Sequence, residues 1–165
     1  MLKMNKLKLS TKTQQVLSIA FLVLSVLFFV LLITFKDRFT AFASKSIKAQ
    51  AGSEIQNSES AFVDSAYNYS KNGVSYEITF LEFGAKGCSA CKRMEGVMDQ
   101  IRTKYPNHVN VIFKNILLPE NQRLMKYYGI AAIPTQVLLN KAGKEFFRHT
   151  GYYPAEELIR NLTFN

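Results

Sequence analysis

Cysteine and histidine are each present only twice in these 165 residues, and tryptophan is absent. A structural zinc site usually takes four ligands. The two histidines, His108 and His149, stand at unrelated spacings from the cysteines, and there is no second Cys-x-x-Cys. These counts argue against a resident metal, leaving only copper, or a site completed by a partner, for a lone cysteine pair. Covalent heme needs His directly after the second cysteine, and Lys92 stands there. Internal repeats and low-complexity tracts are lacking too. So is any block of like charge beyond residue 43: that part carries fifteen Lys/Arg against eleven Asp/Glu, a net of +4. The overall charge of +9 therefore gives little support to a nucleic-acid surface.

The basic surplus lies at the start of the chain. Residues 1–43 hold six Lys/Arg and one Asp, a net of +5. Lys3, Lys6, Lys8 and Lys12 precede an uncharged run that is almost wholly apolar from Val16 to Phe35. As a helix, twenty such residues span ~30 Å, the thickness of a bilayer's hydrocarbon core. Residues 16–35 are therefore expected to cross a membrane. The basic segment 1–15 is then cytoplasmic and the rest of the chain extracytoplasmic, by the positive-inside rule. "AFA", Ala41 to Ala43, resembles a signal-peptidase site. The apolar run exceeds the usual ~7–15 residues of a cleaved signal, which favours a retained anchor over secretion after cleavage near Ala43. Either route leads to a compartment where thiols can be oxidised.

Residues 36–57 are small and polar, without a clear period, and read as a tether with a reach of ~20–25 Å. Residues 58–165 read as one α/β domain. A helix is expected over Ser58–Asn72 with Phe62, Ala66 and Tyr69 on its buried stripe. "YEITFLEF" reads as a buried strand, Ser89–Lys104 as a helix ended by Pro106, and "VNVIFKNI" as the next strand. A helix follows from Pro119 to Gly129, then a hairpin of "TQVLL" and "EFFRHT", then a helix from Pro154.

Both cysteines lie in "GCSAC", Gly87 to Cys91, where the buried strand turns into a helix. As a staple, so small a loop would remove little unfolded-state entropy. Redox exchange fits the placement better. Cys88 would sit at the helix N-terminus, where free N–H groups and the dipole stabilise a thiolate, with Lys86, Lys92 and Arg93 adding positive charge. Cys91 lies one turn further in, on the stripe of Met94 and Met98. Cys88 would then attack a partner disulfide and Cys91 resolve the mixed disulfide. Glu82 interrupts the apolar strand. It is either a carboxylate at the core's edge facing water or a partly buried one of raised pKa that takes a proton from Cys91. Pro134 stands directly before a strand. Trans is the default for X-Pro, whereas a cis bond would expose the backbone of Ile133 to an extended partner chain.

The stretches "FLEFGAKGCSACKRM", "VIFKNI", "YYGIAAIPTQVLLNKAGKE" and "GYYPAEEL" resemble the thioredoxin family over roughly Ser58 to Leu162. The resemblance implies a thioredoxin fold, a central mixed sheet flanked by helices. It assigns the strand-end acid to Glu82, the redox disulfide to Cys88 and Cys91, and a lysine on the next strand to Lys114. It also assigns a substrate-binding cis-proline segment to Ile133, Pro134 and Thr135, and the glycine after the hairpin to Gly151. Gly87 stands where thioredoxins usually have Trp, Ser89-Ala90 replaces Gly-Pro, and the acid is Glu rather than Asp. Tethered bacterial members with Gly before the first cysteine look most similar. They imply a membrane-anchored thiol reductase acting on disulfide- or thiol-containing proteins, without a separate cofactor, and fed by a CcdA/DsbD-type membrane electron carrier. An oxidase of the same fold and a non-catalytic binding module or copper carrier remain as alternatives.

Overall fold

The computed structural model describes residues 11–164. Lys3, Lys6 and Lys8 of the basic segment lie outside that range. Two compact units divide after Phe39.

The first unit holds most of α1 (Thr11–Gln50). Between Lys12 and Lys36 its mean hydropathy is 3.2, and that stretch is long and apolar enough to cross a membrane. Every large apolar side chain from Val16 to Phe35 is exposed.

The stretch read as a tether, most of which falls in the second unit, is helical. α1 continues to Gln50, and after a break at Ala51 the chain enters α2 (Gly52–Tyr67). No Gly or Pro interrupts residues 36–50, so small polar residues there still support a helix. Its last turns also find partners that a period search does not see. Lys48 reaches Glu145 at 3.8 Å, Arg148 reaches the Ser44 hydroxyl at 3.5 Å, and Ser44 packs on Gly129. The helix expected from Ser58 thus starts earlier. It also breaks at Asn68, which bridges Ala142, before the short α3 (Tyr69–Asn72). Its buried face carries Val63 and Tyr67, while Phe62 is exposed and Ala66 half-buried. The face is set by α5 (Pro119–Tyr128), whose Arg123 bonds Glu59 at 3.1 Å and Ser58 at 2.7 Å.

The remaining elements follow the expected order. They are β1 (Ile78–Gly84), α4 (Ser89–Lys104), β2 (Val109–Asn115), α5, β3 (Thr135–Leu139), β4 (Glu145–Thr150) and α6 (Ala155–Arg160). The sheet order is β2-β1-β3-β4, with β1 and β2 parallel and the other pairs antiparallel. Alternation along the central strands feeds two cores. Ile78, Phe80 and Leu138 pack with Met94, Met98, Ile101 and Leu158 on the α4/α6 side. Leu81, Phe83, Val137 and Leu139 pack with Val63, Tyr67, Leu124 and Tyr128 on the α2/α5 side. The mixed sheet flanked by helices is the arrangement the resemblance implies. The parallel β1–α4–β2 unit brings the end of β1 to the start of α4, where the cysteines lie.

Candidate active site

Four residues, Ala85 to Cys88, turn β1 into α4. Gly87 takes φ +90°, a left-handed value that disfavours a side chain, so glycine before Cys88 is a demand of this turn. Cys88 is the N-cap of α4, and its Sγ accepts the Cys91 N–H at 3.2 Å. A sulfur that accepts a backbone N–H at a helix N-terminus is held where negative charge is favoured.

Cys88 and Cys91 are joined as a disulfide. Cys88 is half-buried and Cys91 is 2% exposed. The period of α4 explains the difference: Cys91 begins the buried stripe that continues through Met94, Val97 and Met98. Gly84 closes the site from β1. A Cβ there would stand 3.3 Å from Cys91 Sγ and 2.8 Å from the Phe113 ring. Lys86, Lys92 and Arg93 are exposed around Cys88, and the Arg93 guanidinium lies 4.6 Å over the Tyr152 ring.

Glu82 is 0% exposed, so the reading of a carboxylate facing water does not hold. Strand alternation puts it with Ile78 and Phe80 on the face that carries α4. Burial pushes its pKa up to about 8, and a hydrogen bond from Gln136 opposes part of that rise. The Gln136 amide Nε2 donates to Glu82 Oε1 at 3.4 Å.

Lys114 does not join this group. It is registered with Phe83, and Phe113 is the residue registered with Glu82. Neighbouring positions on a strand face opposite sides, so the lysine belongs to the α2/α5 side. Burial lowers its pKa there, and Glu120 and Glu59 raise it. A one-residue offset in reading "VIFKNI" is enough to move a charge across the sheet.

The Ile133–Pro134 peptide bond is cis. Thr135 is registered with Phe83, so Pro134 stands at the end of the sheet beside Gly84 and the disulfide. Pro134 and Thr135 are buried and Ile133 is half-buried. The Thr135 hydroxyl bonds Ala132 O at 2.8 Å, and Gly151 N–H donates to Pro134 O at 2.8 Å. Gln136, Phe113 and Tyr152 were not singled out by sequence reasoning. A glutamine inside the apolar "TQVLL" was the one available signal.

Residues 63–164 match the family described as the thioredoxin-like domain. The chain belongs to that family. It is 31% identical over 85 residues to a thioredoxin of Rickettsia bellii, covering 52% of this chain and 78% of the relative. It is 30% identical over 82 residues to thioredoxin 1 of Synechococcus elongatus, covering 50% and 74%. The oxidised form of mitochondrial thioredoxin 3 from Saccharomyces cerevisiae aligns with 25% identity and a TM-score of 0.46, over 56% of this chain and 86% of that one. Membership, together with the Cys88–Cys91 pair, makes the chain a thiol–disulfide oxidoreductase acting on thiol or disulfide substrates.

Proposed function

We propose that this chain is a membrane-anchored, extracytoplasmic reductase of protein disulfides, of the bacterial type. The observation that carries the reading is the asymmetric pair: Cys88 reachable at the N-cap of α4, Cys91 buried beside Gly84, and buried Glu82 on the same face of β1. The Cys88 thiolate attacks one sulfur of a substrate disulfide. That S–S bond breaks, the released sulfur takes a proton from water, and a mixed disulfide forms. Cys91 then passes its proton to Glu82 and attacks Cys88 Sγ. The mixed disulfide breaks, the second substrate sulfur leaves as a thiolate that takes a proton from water, and the Cys88–Cys91 disulfide closes, after which Glu82 returns its proton to solvent. The substrate gains two electrons and the protein dithiol loses them. With a pKa of about 8, about a tenth of Glu82 is ionised at pH 7, and a base poised near ambient pH suits proton transfer.

The exposed apolar helix from Lys12 to Lys36 supports the anchor, and the basic flank preceding it supports a cytoplasmic N-terminus. A membrane dithiol carrier of the CcdA/DsbD type would return the two electrons by the same exchange. Ile133, Pro134 and Thr135 would receive the substrate's extended chain. One feature favours an oxidase instead: Lys86, Lys92 and Arg93 stabilise a Cys88 thiolate, and a stabilised reduced form is more oxidising.

Four measurements test the reading. Cys91→Ser should accumulate Cys88 mixed disulfides with extracytoplasmic proteins, in a full-length form that stays in carbonate-washed membranes. The reduction potential should lie nearer ~−270 mV than ~−120 mV, and a value above about −150 mV assigns the protein to disulfide donation. A chain that fails to reduce insulin catalytically would be a binding module or copper carrier.

A further inference from the structure

Glu82 stands in a row that crosses the sheet. Phe113 on β2 is registered with Glu82 on β1, Glu82 with Gln136 on β3, and Gln136 with His149 on β4. All four share the face that carries α4 and α6. Phe113 gives Glu82 no charge and no hydrogen bond, and Lys114 is on the other face. The polar partner of the carboxyl is Gln136, which is itself 0% exposed and donates to Oε1 at 3.4 Å. Glu82 Oε2 and Gln136 Oε1 find no protein hydrogen-bond partner. Two fully buried polar side chains that bond chiefly to each other are costly unless they do something the fold requires. On the same face of their strands, Ile78, Phe80 and Leu138 are apolar.

We infer that Gln136 is a positioning residue for the Cys91 step: its amide holds Glu82 by Oε1 and leaves Oε2 as the oxygen that takes the proton. The inference rests on the reading of Glu82 as the proton acceptor. A neutral amide suits the task in a way a lysine would not. Its N–H donates to the ionised carboxylate, and after a half-turn of the amide its oxygen accepts from the protonated acid. Donation to an ion is the stronger of the two bonds, so the amide favours the ionised form moderately. A buried ammonium would lock the carboxylate in its charged state and weaken it as a base. On the same side of the sheet lie the cysteine pair on α4, Tyr105 and Tyr153 against the core, and His149 at the far end of the row. The His149 ring stacks on Tyr153 at 4.3 Å.

The test uses the full chain in detergent micelles and the variants Gln136→Leu, Gln136→Met, Glu82→Gln and the double variant Glu82→Gln/Gln136→Leu. Two quantities are read. One is the midpoint of Glu82 in the oxidised protein, from the ¹³C signal of its side-chain carboxyl. The other is the pH profile of mixed-disulfide resolution with a model peptide disulfide. Both Gln136 variants should raise the Glu82 midpoint by about one pH unit and slow resolution at pH 7 by about five- to tenfold. In the Glu82→Gln background, Gln136→Leu should change neither the profile nor its slope. An unmoved midpoint in both Gln136 variants, while Glu82→Gln abolishes the inflection, refutes the role of Gln136 and leaves Glu82 as the acceptor. An inflection that survives Glu82→Gln refutes the reading of Glu82 and this inference with it. If the Leu variant does not fold, the Met variant, closer in length and flexibility, decides by the same criteria.

Discussion

Glu82→Gln should stabilise the oxidised protein, and by an amount that grows with pH. Glu82 is fully buried, and its pKa rises from 4.5 in the unfolded chain to about 8 in the folded one. Between these values the folded state holds a proton that the unfolded state has lost. Stability therefore falls as pH rises through that window, and the loss ends above the folded pKa. At pH 5 the penalty is under about 1 kcal/mol, because little of the window has been crossed; at pH 8 it is about 4 kcal/mol. Glutamine keeps the shape and has no charge to desolvate. The stability difference between the variant and the native protein should thus widen by about 3–4 kcal/mol from pH 5 to pH 8. Guanidinium unfolding of both oxidised proteins in the same micelles, at half-unit steps of pH, measures it. Subtracting the two curves removes groups they share, such as the His108–Glu77 pair. A difference constant to within about 0.5 kcal/mol across that range would show that Glu82 is not held neutral by burial.

Three further outcomes follow from the site and its supports. In the reduced protein, iodoacetamide at neutral pH should label Cys88 well before Cys91, because Cys88 is the half-buried N-cap and Cys91 is enclosed; equal rates would contradict the assignment. Lys114→Met should leave the pH profile of resolution in place, since the lysine lies across the sheet from Glu82; a shift like that expected for Gln136→Leu would mean the strand register is wrong. Gly129 ends α5 at φ +63°, and a Cβ there would meet the Ser44 carbonyl and lie 2.7 Å from Lys48 Cγ. Gly129→Ala should cost about 1–3 kcal/mol and lower the thermal midpoint by several degrees; an unchanged midpoint would show that the last turns of α1 do not pack there.

Where the sequence spoke clearly, local physics was the reason. The turn glycines, Pro119, the stripe of Met94, Met98 and Ile101, and the alternation of the strands each act within a few residues. The boundaries they imply for α4, β2, α5, β3 and β4 agree with the fold. Residues 36–57 read differently, because their helical packing depends on Gly129, Glu145 and Arg148, far away in sequence. The stripe of Phe62, Ala66 and Tyr69 holds only in part: Tyr69 is buried and Ala66 half-buried, but Phe62 is exposed, and Val63 and Tyr67 face in because α5 lies there.

The sequence by itself determined where the redox pair lies: a single Cys-x-x-Cys after a buried strand, with Cys88 at a helix N-terminus and an acid on the strand before it. It also determined an apolar run long enough to cross a membrane. Only the tertiary structure decided which groups surround that acid. Lys114 and Phe113 differ by one position, and strand alternation gives them opposite faces. Gln136 reaches Glu82 only because β3 runs antiparallel beside β1 in that register. Pairing across strands is set by register and packing between segments dozens of residues apart, which no local pattern encodes.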